Sequence, residues 1–551
     1  MHSEYGLNQC FFLPFTKAHT MRNFYLFLFL FIPVIAFTQN LKSGGVLKPE
    51  QAIMDIKHYT VAMDVNPETQ SIDAWTEIEF VLAAETPLLL FDFWHGLTVK
   101  DVLVNNKKQP FVHSTDDLIR ISLNQPLQPG RVKVKISYGG KPGVAKRAPW
   151  DGGFQWEKDS NGNPWISMTC QGEGAKIFFP CKDHPSDEPN EGADLIVTVP
   201  AGLVVAGPGL LQSVKTKKEK STYHWKTNYT ISNYCIVFNV AKYKLAKRTY
   251  TTIDGNKVPM EYYVLEENFD KAEKLLDLFE QSCRVQEKYF GEYPWVKERM
   301  ALSETPHLGM EHQTNIAYGN KYKYEKVGGK DFDWLLHHEF GHEWWANKVT
   351  NKDWAHMWIQ EGICSFGDAL YTKDVAGEEA YLLRMRNTAS TLNGKIPVVR
   401  GEQVDSDSAY KGPIYGKGAF FMHSLSYFLG ENVFFPILKK LATDEKYTYN
   451  NFITTDDVEQ LFSKESGKNL KPFFDFYLRT VDKLDFKVVY RPGDKYKITF
   501  TNLNMELPVD ITTDKGTTRM TLIPVQEITI DSKTPPLIDP KGYYLKKVSY
   551  E

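Results

Sequence analysis

This chain of 551 residues has few cysteines, a small net charge and no internal repeats. It contains six cysteines, and its formal net charge is −3 at pH 7. Such a balanced charge gives no reason to expect a nucleic-acid partner. We find no internal repeats, low-complexity tracts or proline-rich linkers, which argues against a repeat protein or a disordered one. The length instead predicts several globular domains with a sizeable core.

One apolar run stands near the start of the chain. A short positive region begins at Met21, an apolar segment covers residues 24–36, and the small residues Ala36 and Thr38 follow. This pattern is typical of a secretory signal peptide over residues 21–38, with Met21 as the true start. We therefore expect an exported protein, periplasmic or extracellular, with no stable membrane span after cleavage. An uncleaved membrane anchor is the alternative.

The cysteines suggest neither a disulfide framework nor a second metal site. An odd number remains once the predicted signal peptide is removed, so they cannot all pair within one chain. Their spacing matches no metal-binding motif. Nothing in the sequence requires a disulfide bond between Cys170 and Cys181, the two that lie closest in sequence. The five are Cys170, Cys181, Cys235, Cys283 and Cys364.

Period-two alternation dominates residues 40–247. Apolar and polar residues alternate over 72–80 and again over 132–138, as in strands with one face on a core. Turn residues at 161–164 separate such segments. We predict an antiparallel β domain over residues 40–247.

The period then changes to that of helices. Asn268 is predicted to cap a helix that Gly291 and Pro294 end, and helical patterns continue to about residue 480. Strand patterns return at 486–490, 496–500 and 525–530. The fold class is therefore multidomain α+β, with a mostly helical catalytic domain over 248–482 and a small β-sandwich over 483–551.

The most informative motif is His338-Glu339-Phe340-Gly341-His342, followed by Glu361 after eighteen further residues. Helix positions i and i+4 share one face, so His338 and His342 can bind one metal ion. Glu361 can return on a second helix as an anionic ligand. Two histidines, one carboxylate and an open fourth position describe a catalytic zinc site. We expect one Zn²⁺ per chain, with Glu339 as the general base that acts on the catalytic water.

Asp368 lies seven residues after Glu361, two helical turns along the same face. It can accept a hydrogen bond from a ligand imidazole, or it can be an ordinary surface residue. The neighbouring histidines His337 and His356 are better interpreted as packing residues than as ligands.

Four segments in the same order along the chain resemble the aminopeptidase-N-type zinc metallopeptidases, and most closely the leukotriene hydrolase and aminopeptidase B branch. The segments are the zinc motif with its surroundings over 337–362, Leu308–His312, Asp405–Tyr415, and the block of Thr169–Gln171 with Phe179–Asp183. The resemblance implies a thermolysin-like catalytic domain and hydrolysis of peptides that have a free N-terminus. It covers about two-thirds of the chain.

The resemblance also implies roles for individual residues. Tyr415 matches the tyrosine that stabilises the transition state, and Tyr410 is the rival candidate. Glu311 matches the carboxylate that binds the substrate ammonium, within a substrate-binding strand that includes Gly309 and Met310. Gln171 matches a second contact to the amine.

Two features depart from the family pattern. His312 stands where asparagine is usual, and we expect the chain to lack the large helical domain that closes over the site in many members. The leading hypothesis is a zinc aminopeptidase, and the alternative is an epoxide or lipid hydrolase of the leukotriene hydrolase type on the same zinc site. A catalytically inactive scaffold is disfavoured, because every expected catalytic residue is present. Neither the preferred N-terminal residue nor the oligomeric state can be inferred from the sequence.

Overall fold

The described part of the chain begins with strands, as the period-two pattern predicts. The structure, a computed structural model, describes residues 41–392 and 394–551. The predicted signal peptide over 21–38 lies outside the described residues.

Three sheets form the first part of the fold. In the eight-stranded sheet, neighbouring strands pair antiparallel except Met54–Asn66 and Ala193–Pro200, which are parallel. The predicted inward positions are buried, and Ile78 lies opposite Val134 in the register. In spatial order the strands are Leu210–Lys217, Lys220–Thr227, Ala193–Pro200, Met54–Asn66, Ser71–Leu82, Gly130–Gly140, Thr98–Val104 and Lys107–Lys108. The second sheet contains Thr86–Asp92, Leu118–Leu127 and Phe111–Ser114, and the third contains Val204–Ala206, Asn239–Ala241, Pro164–Thr169 and Gly153–Lys158.

The middle of the chain combines a mixed five-stranded sheet with most of the helices. This sheet carries the strand Gly309–Met310 at its edge, beside Ile316–Tyr318. Its strands in order are Tyr243–Thr251, Lys257–Leu265, Met300–Glu304, Ile316–Tyr318 and Gly309–Met310. The α-helices of this part are Ala272–Phe290, Trp334–Gly341, Trp358–Ala376, Glu378–Thr391, Ser406–Tyr410, Gly416–Leu429, Glu431–Thr443, Thr455–Ser466 and Lys471–Phe474.

The short elements complete this description. An α-helical turn over Pro49–Ala52 precedes the first strand, and a π-helical turn covers Asp475–Arg479. Short strand pairs join Glu325–Val327 to Lys330–Phe332 and Thr350–Asn351 to Phe452–Ile453. The 3₁₀ turns are Ala175–Ile177, Asn233–Cys235, Glu266–Lys271, Trp354–His356 and Glu445–Tyr447.

The helix predicted to begin at Asn268 begins later. A 3₁₀ turn over Glu266–Lys271 comes first, and the α-helix covers Ala272–Phe290. Asn268 does not cap it, because its side-chain amide donates to Glu304 Oε1 at 2.7 Å. The predicted end is confirmed, since Gly291 follows the helix with a φ of +92°. Glycine adopts that φ without the strain that other residues incur.

The last part of the chain forms two sheets, as expected of a small β-sandwich. Both contribute buried apolar residues to the core, including Phe486, Ile498 and Val509. The strand predicted over 525–530 is shorter than expected, because Val525 lies in a turn with a φ of +57°. The first sheet has the strands Ile528–Asp531, Lys495–Phe500, Leu484–Arg491 and Lys546–Tyr550, and the second has Gly516–Leu522, Leu507–Thr513 and Leu537–Ile538.

The order of β-rich, mostly helical and β-rich parts confirms the predicted fold class. The strand Tyr243–Thr251 runs across the boundary predicted at residue 247. The domain boundaries at 247 and 482 therefore stay predictions. The five cysteines in the described residues are buried and free.

Candidate active site

The zinc motif lies on the short helix Trp334–Gly341, whose start is held by Asp333. The Asp333 carboxylate accepts the backbone N–H of Leu336 at 3.1 Å, which is a standard N-cap interaction. The same carboxylate accepts the Tyr318 hydroxyl at 2.6 Å, so the helix is tied to the neighbouring sheet. His338 is within the helix, and His342 follows directly at its end.

His338, His342 and Glu361 converge as the sequence predicts. Glu361 Oε2 lies 3.5 Å from His338 Nε2 and 3.4 Å from His342 Nε2. One ligand atom from each residue lies within 4.8 Å of the other two, and all three residues are buried. Glu361 comes from the first turn of the helix Trp358–Ala376. The second helix therefore brings the carboxylate to the histidine pair.

The chemistry of this trio fits a zinc ion. Glu361 Oε2 is buried and has no hydrogen-bond partner within the described residues. Burial alone would raise the pKa of Glu361, but His342 and His338 outweigh it and lower the pKa to about 2. The carboxylate is thus held as an anion that faces two imidazole nitrogens. Two nitrogens and one carboxylate oxygen are the donors of many catalytic zinc sites.

Both imidazoles are oriented by contacts at Nδ1. His342 Nδ1 lies 2.8 Å from the carbonyl oxygen of Trp345, which can only accept, so Nδ1 carries the proton. His338 Nδ1 lies 3.1 Å from Asp368 Oδ2, the contact anticipated for Asp368. In both rings Nε2 is left to bind a metal ion. Contacts of this kind fix the ligand tautomer.

Glu339 packs against the strand that begins at Gly309. A Cβ placed on Gly309 would lie 2.7 Å from Glu339 Oε1 and 2.8 Å from a methyl group of Leu335. A side chain at position 309 would therefore displace the Glu339 carboxylate and the Leu335 methyl group. Met310 follows, and 6% of it is exposed. The backbone of the predicted substrate-binding strand thus adjoins the predicted base.

Glu311 is a buried carboxylate without a cationic partner. It is 3% exposed, and no Lys, Arg or His nitrogen of the described chain lies within 4.0 Å of it. Its Oε1 accepts the Gln171 side-chain amide at 2.5 Å and the Tyr234 hydroxyl at 3.0 Å. Burial raises the pKa of Glu311. A buried anion of this kind is costly unless a cation arrives with the ligand.

Glu311 also lies next to the predicted catalytic groups. One donor atom from each of Glu311, Glu339 and His342 lies within 4.8 Å of the others. The structure therefore brings the predicted amine contact, the predicted base and a predicted metal ligand into one small volume.

Two further contacts of Glu311 were missed by the sequence analysis. Tyr234 donates to the carboxylate, and the Asn347 side chain donates to the Glu311 backbone carbonyl at 2.9 Å. Asn347 follows the zinc motif by five residues, a proximity that could have drawn attention to it. Tyr234 carries no comparable signal, because nothing local distinguishes it from the other tyrosines.

The two candidate tyrosines have different surroundings. The Tyr415 ring stacks on that of His338 with centroids 6.1 Å apart, and the residue is 39% exposed. The Tyr410 hydroxyl instead donates to Gln171 Oε1. This places Tyr415 beside the predicted metal ligands and Tyr410 beside the predicted amine contacts.

A glycine pair sets the position of Tyr415. Tyr415 directly precedes the helix Gly416–Leu429, which crosses the Glu361 helix at Gly418 and Gly362. A Cβ on Gly362 would lie 2.8 Å from Gly418 Cα. The absence of side chains here lets the two helices come close enough to place Tyr415 beside Glu361.

The other histidines near the motif are packing residues. His337 is fully buried and its ring packs against Phe332 and Tyr371. His356 Nδ1 lies 2.9 Å from Thr455 Oγ1. His312 is 1% exposed, and neither ring nitrogen has a hydrogen-bond partner within the described residues. Burial lowers the pKa of His312 to about 3, so this ring is neutral.

This arrangement defines the class of zinc metallopeptidases with a histidine pair on one helix and a glutamate on the next. Comparison with family models identifies the family within this class. The peptidase M1 N-terminal domain matches residues 56–235, and the peptidase family M1 domain matches residues 268–477. The chain belongs to peptidase family M1, whose members use one catalytic zinc ion.

Individual relatives are similar at modest identity. Leukotriene A-4 hydrolase from Xenopus laevis is 24% identical over 81% of this chain and 74% of its own length. Aminopeptidase B from Mus musculus is 24% identical over 70% of this chain and 60% of its own length. Among five curated relatives that it matches, the chain spans 39% to 74% of their length.

A solved structure confirms the fold. The M1 zinc metallopeptidase from Deinococcus radiodurans superposes with a TM-score of 0.64 at 19% sequence identity. The match covers 78% of this chain and 94% of that one.

Replacement of Asp368 by Ala is expected to weaken zinc binding. Loss of the carboxylate that orients His338 should lower zinc affinity by about 10- to 100-fold, whereas the unchanged protein should bind one equivalent. Competition titration against a zinc-binding dye measures this. Asp374→Asn on the same helix is the control, because Asp374 contacts Lys288 at the surface. Equal affinity of both variants would contradict the role given to Asp368.

Replacement of Gly309 by Ala is expected to displace Glu339 without removing zinc. The added methyl group would overlap the base carboxylate, and misplacement by about 1 Å can cost roughly 10²-fold in turnover. Steady-state kinetics beside zinc analysis separates the two effects. Gly367→Ala is the control, because a Cβ there meets only ordinary contacts of 3.5 Å or more. A Gly309→Ala enzyme with normal kcat would show that the close approach has no catalytic importance.

Proposed function

We propose that this protein is an exported aminopeptidase that releases N-terminal residues from peptides. The observation that carries the proposal is the unpaired, buried carboxylate of Glu311 beside Glu339. Desolvation makes such a charge costly, and a substrate ammonium can offset that cost with charge-assisted hydrogen bonds.

The position of Glu311 also sets which peptide bond is cut. An N-terminal nitrogen is separated from the carbonyl carbon of its own residue by two covalent bonds, or about 2.5 Å. An ammonium held at Glu311 therefore presents the first peptide bond to Glu339, which lies within the same cluster. Bonds further along the chain would lie beyond the reach of the base.

The residues of this chain then have separate tasks. His338, His342 and Glu361 would hold the zinc ion, which supplies Lewis acidity toward the peptide carbonyl and the catalytic water. Glu339 takes a proton from the water and delivers it to the leaving amine. The Tyr415 hydroxyl donates a hydrogen bond to the oxyanion as the carbonyl becomes tetrahedral. Gln171 and Tyr234 hold the Glu311 carboxylate in place.

The alternative, an epoxide or lipid hydrolase, has weaker support. Gln171 and the similarity to leukotriene A-4 hydrolase favour it. A lipid epoxide, however, carries no ammonium group and would leave the Glu311 carboxylate buried and unpaired. Two of the five curated relatives compared above are named as aminopeptidases, namely aminopeptidase B and aminopeptidase 2. We therefore favour peptides with a free N-terminus as the substrates.

Export is proposed from the sequence pattern over residues 21–38 alone. Among the residues described, no helix combines the length and the apolar character needed to cross a membrane. The five buried cysteines of this part are free, so the fold does not depend on disulfide bonds between them.

Glu339→Gln is expected to keep zinc and to lose nearly all turnover, because only the base is removed. Tyr415→Phe should lower kcat by about 10²- to 10³-fold with little change in KM, since the hydroxyl acts in the transition state. Zinc analysis and steady-state kinetics of both variants measure this. Tyr410→Phe is the matched control. If Tyr410→Phe shows the larger loss in kcat, the two tyrosines are wrongly assigned.

Glu311→Ala is expected to abolish the preference for a free N-terminus. It should lose about 2–4 kcal/mol in transition-state stabilisation on free-amine peptides and much less on acetylated ones. Paired aminoacyl and N-acetyl-aminoacyl fluorogenic substrates measure the ratio of kcat/KM. Tyr234→Phe is the control, because it keeps the carboxylate and should keep the preference. Similar rates of the unmodified enzyme on free and blocked peptides would refute the aminopeptidase proposal.

A further inference from the structure

We infer that a second ligand site, suited to a free zwitterionic α-amino acid, lies in a pocket around Lys348. None of the residues that line it is a predicted metal ligand or a predicted substrate contact. The inference does not depend on the proposed function, because it is carried by the charges and the shape of this pocket.

Lys348 is a buried lysine without an anionic partner. It is 6% exposed, and within the described residues its ammonium forms no ion pair and donates no hydrogen bond. Its ammonium lies 5.2 Å from the centroid of the Tyr449 ring. A cation–π contact of this kind offsets only part of the cost of burying a charged group. The ammonium therefore remains available to an anionic ligand.

Lys348 belongs to the lining of a pocket of about 210 Å³. Tyr229 and Tyr449 line it with nearly parallel rings, whose centroids are 6.1 Å apart. Trp295 packs edge-on against both rings. Drug-sized ligands occupy pockets of roughly 300–1,000 Å³, so this one suits a smaller molecule.

Two carboxylates, Asp254 and Glu292, also belong to the lining of this pocket. Glu292 Oε1 accepts the Thr252 hydroxyl and the Asn256 side-chain amide, so Glu292 is bound to the turn that carries Asp254. Within the described residues, Asp254 forms no ion pair and Glu292 Oε2 accepts no hydrogen bond. Asp254 is exposed and Glu292 is only partly buried, so both carboxylates are accessible to a ligand.

The pattern of charges selects the class of ligand. Lys348 and Lys439 supply two positive charges, and Asp254 and Glu292 supply two negative ones. Because the lining carries two charges of each sign, it offers no net attraction to a simple anion or to a simple cation. A zwitterion can pair with both groups, with its carboxylate on Lys348 and its ammonium on Asp254 or Glu292. The aromatic wall then accepts an apolar side chain.

The electrostatic surroundings of Lys348 agree with this assignment. Burial lowers the pKa of Lys348 to about 8, while Glu292 acts in the opposite direction. A bound carboxylate would further favour the charged form of the amine. The free amine would also react with acylating reagents more readily than an ordinary surface lysine.

The test is calorimetric titration of the zinc-loaded protein with L-leucine. The unmodified protein should show two sites, one at Glu311 and one at Lys348. Lys348→Met should lower affinity at the second site by about tenfold or more, because a charge-assisted hydrogen bond is lost. Glu311→Ala should lose the first site and keep the second. This arrangement distinguishes failure of the Lys348 site from failure of the aminopeptidase proposal.

Lys352→Met is the matched control, since Lys352 is an exposed lysine of the same segment outside the pocket. A Lys348→Met protein that titrates like the unmodified one overturns the inference, and so does an equal loss in the Lys352→Met protein. A second measurement avoids any folding defect of the variants. In the unmodified protein, L-leucine should protect Lys348 from acetylation, as followed by peptide mass spectrometry. Unprotected acetylation at saturating L-leucine would likewise overturn the inference.

Discussion

The buried convergence of His338, His342 and Glu361 is the constraint on which the rest of the structure depends. Three ligand atoms within 4.8 Å of one another fit a cation between them, and the Glu361 oxygen has no hydrogen-bond partner among the described residues. The surrounding elements fix that geometry. Asp333 sets the start of the histidine helix, and Asp368 holds the ring of His338.

Much of this site could be predicted because its determinants are local in sequence. Helical periodicity alone places His338 and His342 on one face, and it places Asp368 two turns beyond Glu361. The predicted contacts to the substrate amine could not be found from helical periodicity. Gln171 and Glu311 are 140 positions apart, so no periodicity joins them, and only the family resemblance paired them before the structure did. Tyr234 had neither signal and was missed.

The two errors in the predicted secondary structure have a common physical origin. Asn268 has the side chain of a helix cap, yet it bonds Glu304 because a 3₁₀ turn intervenes. Val525 has the β-branched side chain of a strand residue, yet it occupies a turn with positive φ. In both places a tertiary contact or the path of the chain overrides a local preference. Such effects cannot be inferred from one sequence, because they depend on residues far along the chain.

Two buried charges without ionic partners, Glu311 and Lys348, lie on either side of the zinc motif in the sequence. Among the described residues, Glu311 has no cationic partner and Lys348 has no anionic partner. Asn347 links the two regions, because its side-chain amide donates to the carbonyl of Glu311 and to Glu343 Oε2, and Lys348 is the next residue. Any shift of this segment on ligand binding at Lys348 would move a hydrogen bond to the strand that positions Glu311. The peptide bond between Asn347 and Lys348 thus connects the proposed amine site to the proposed amino-acid site.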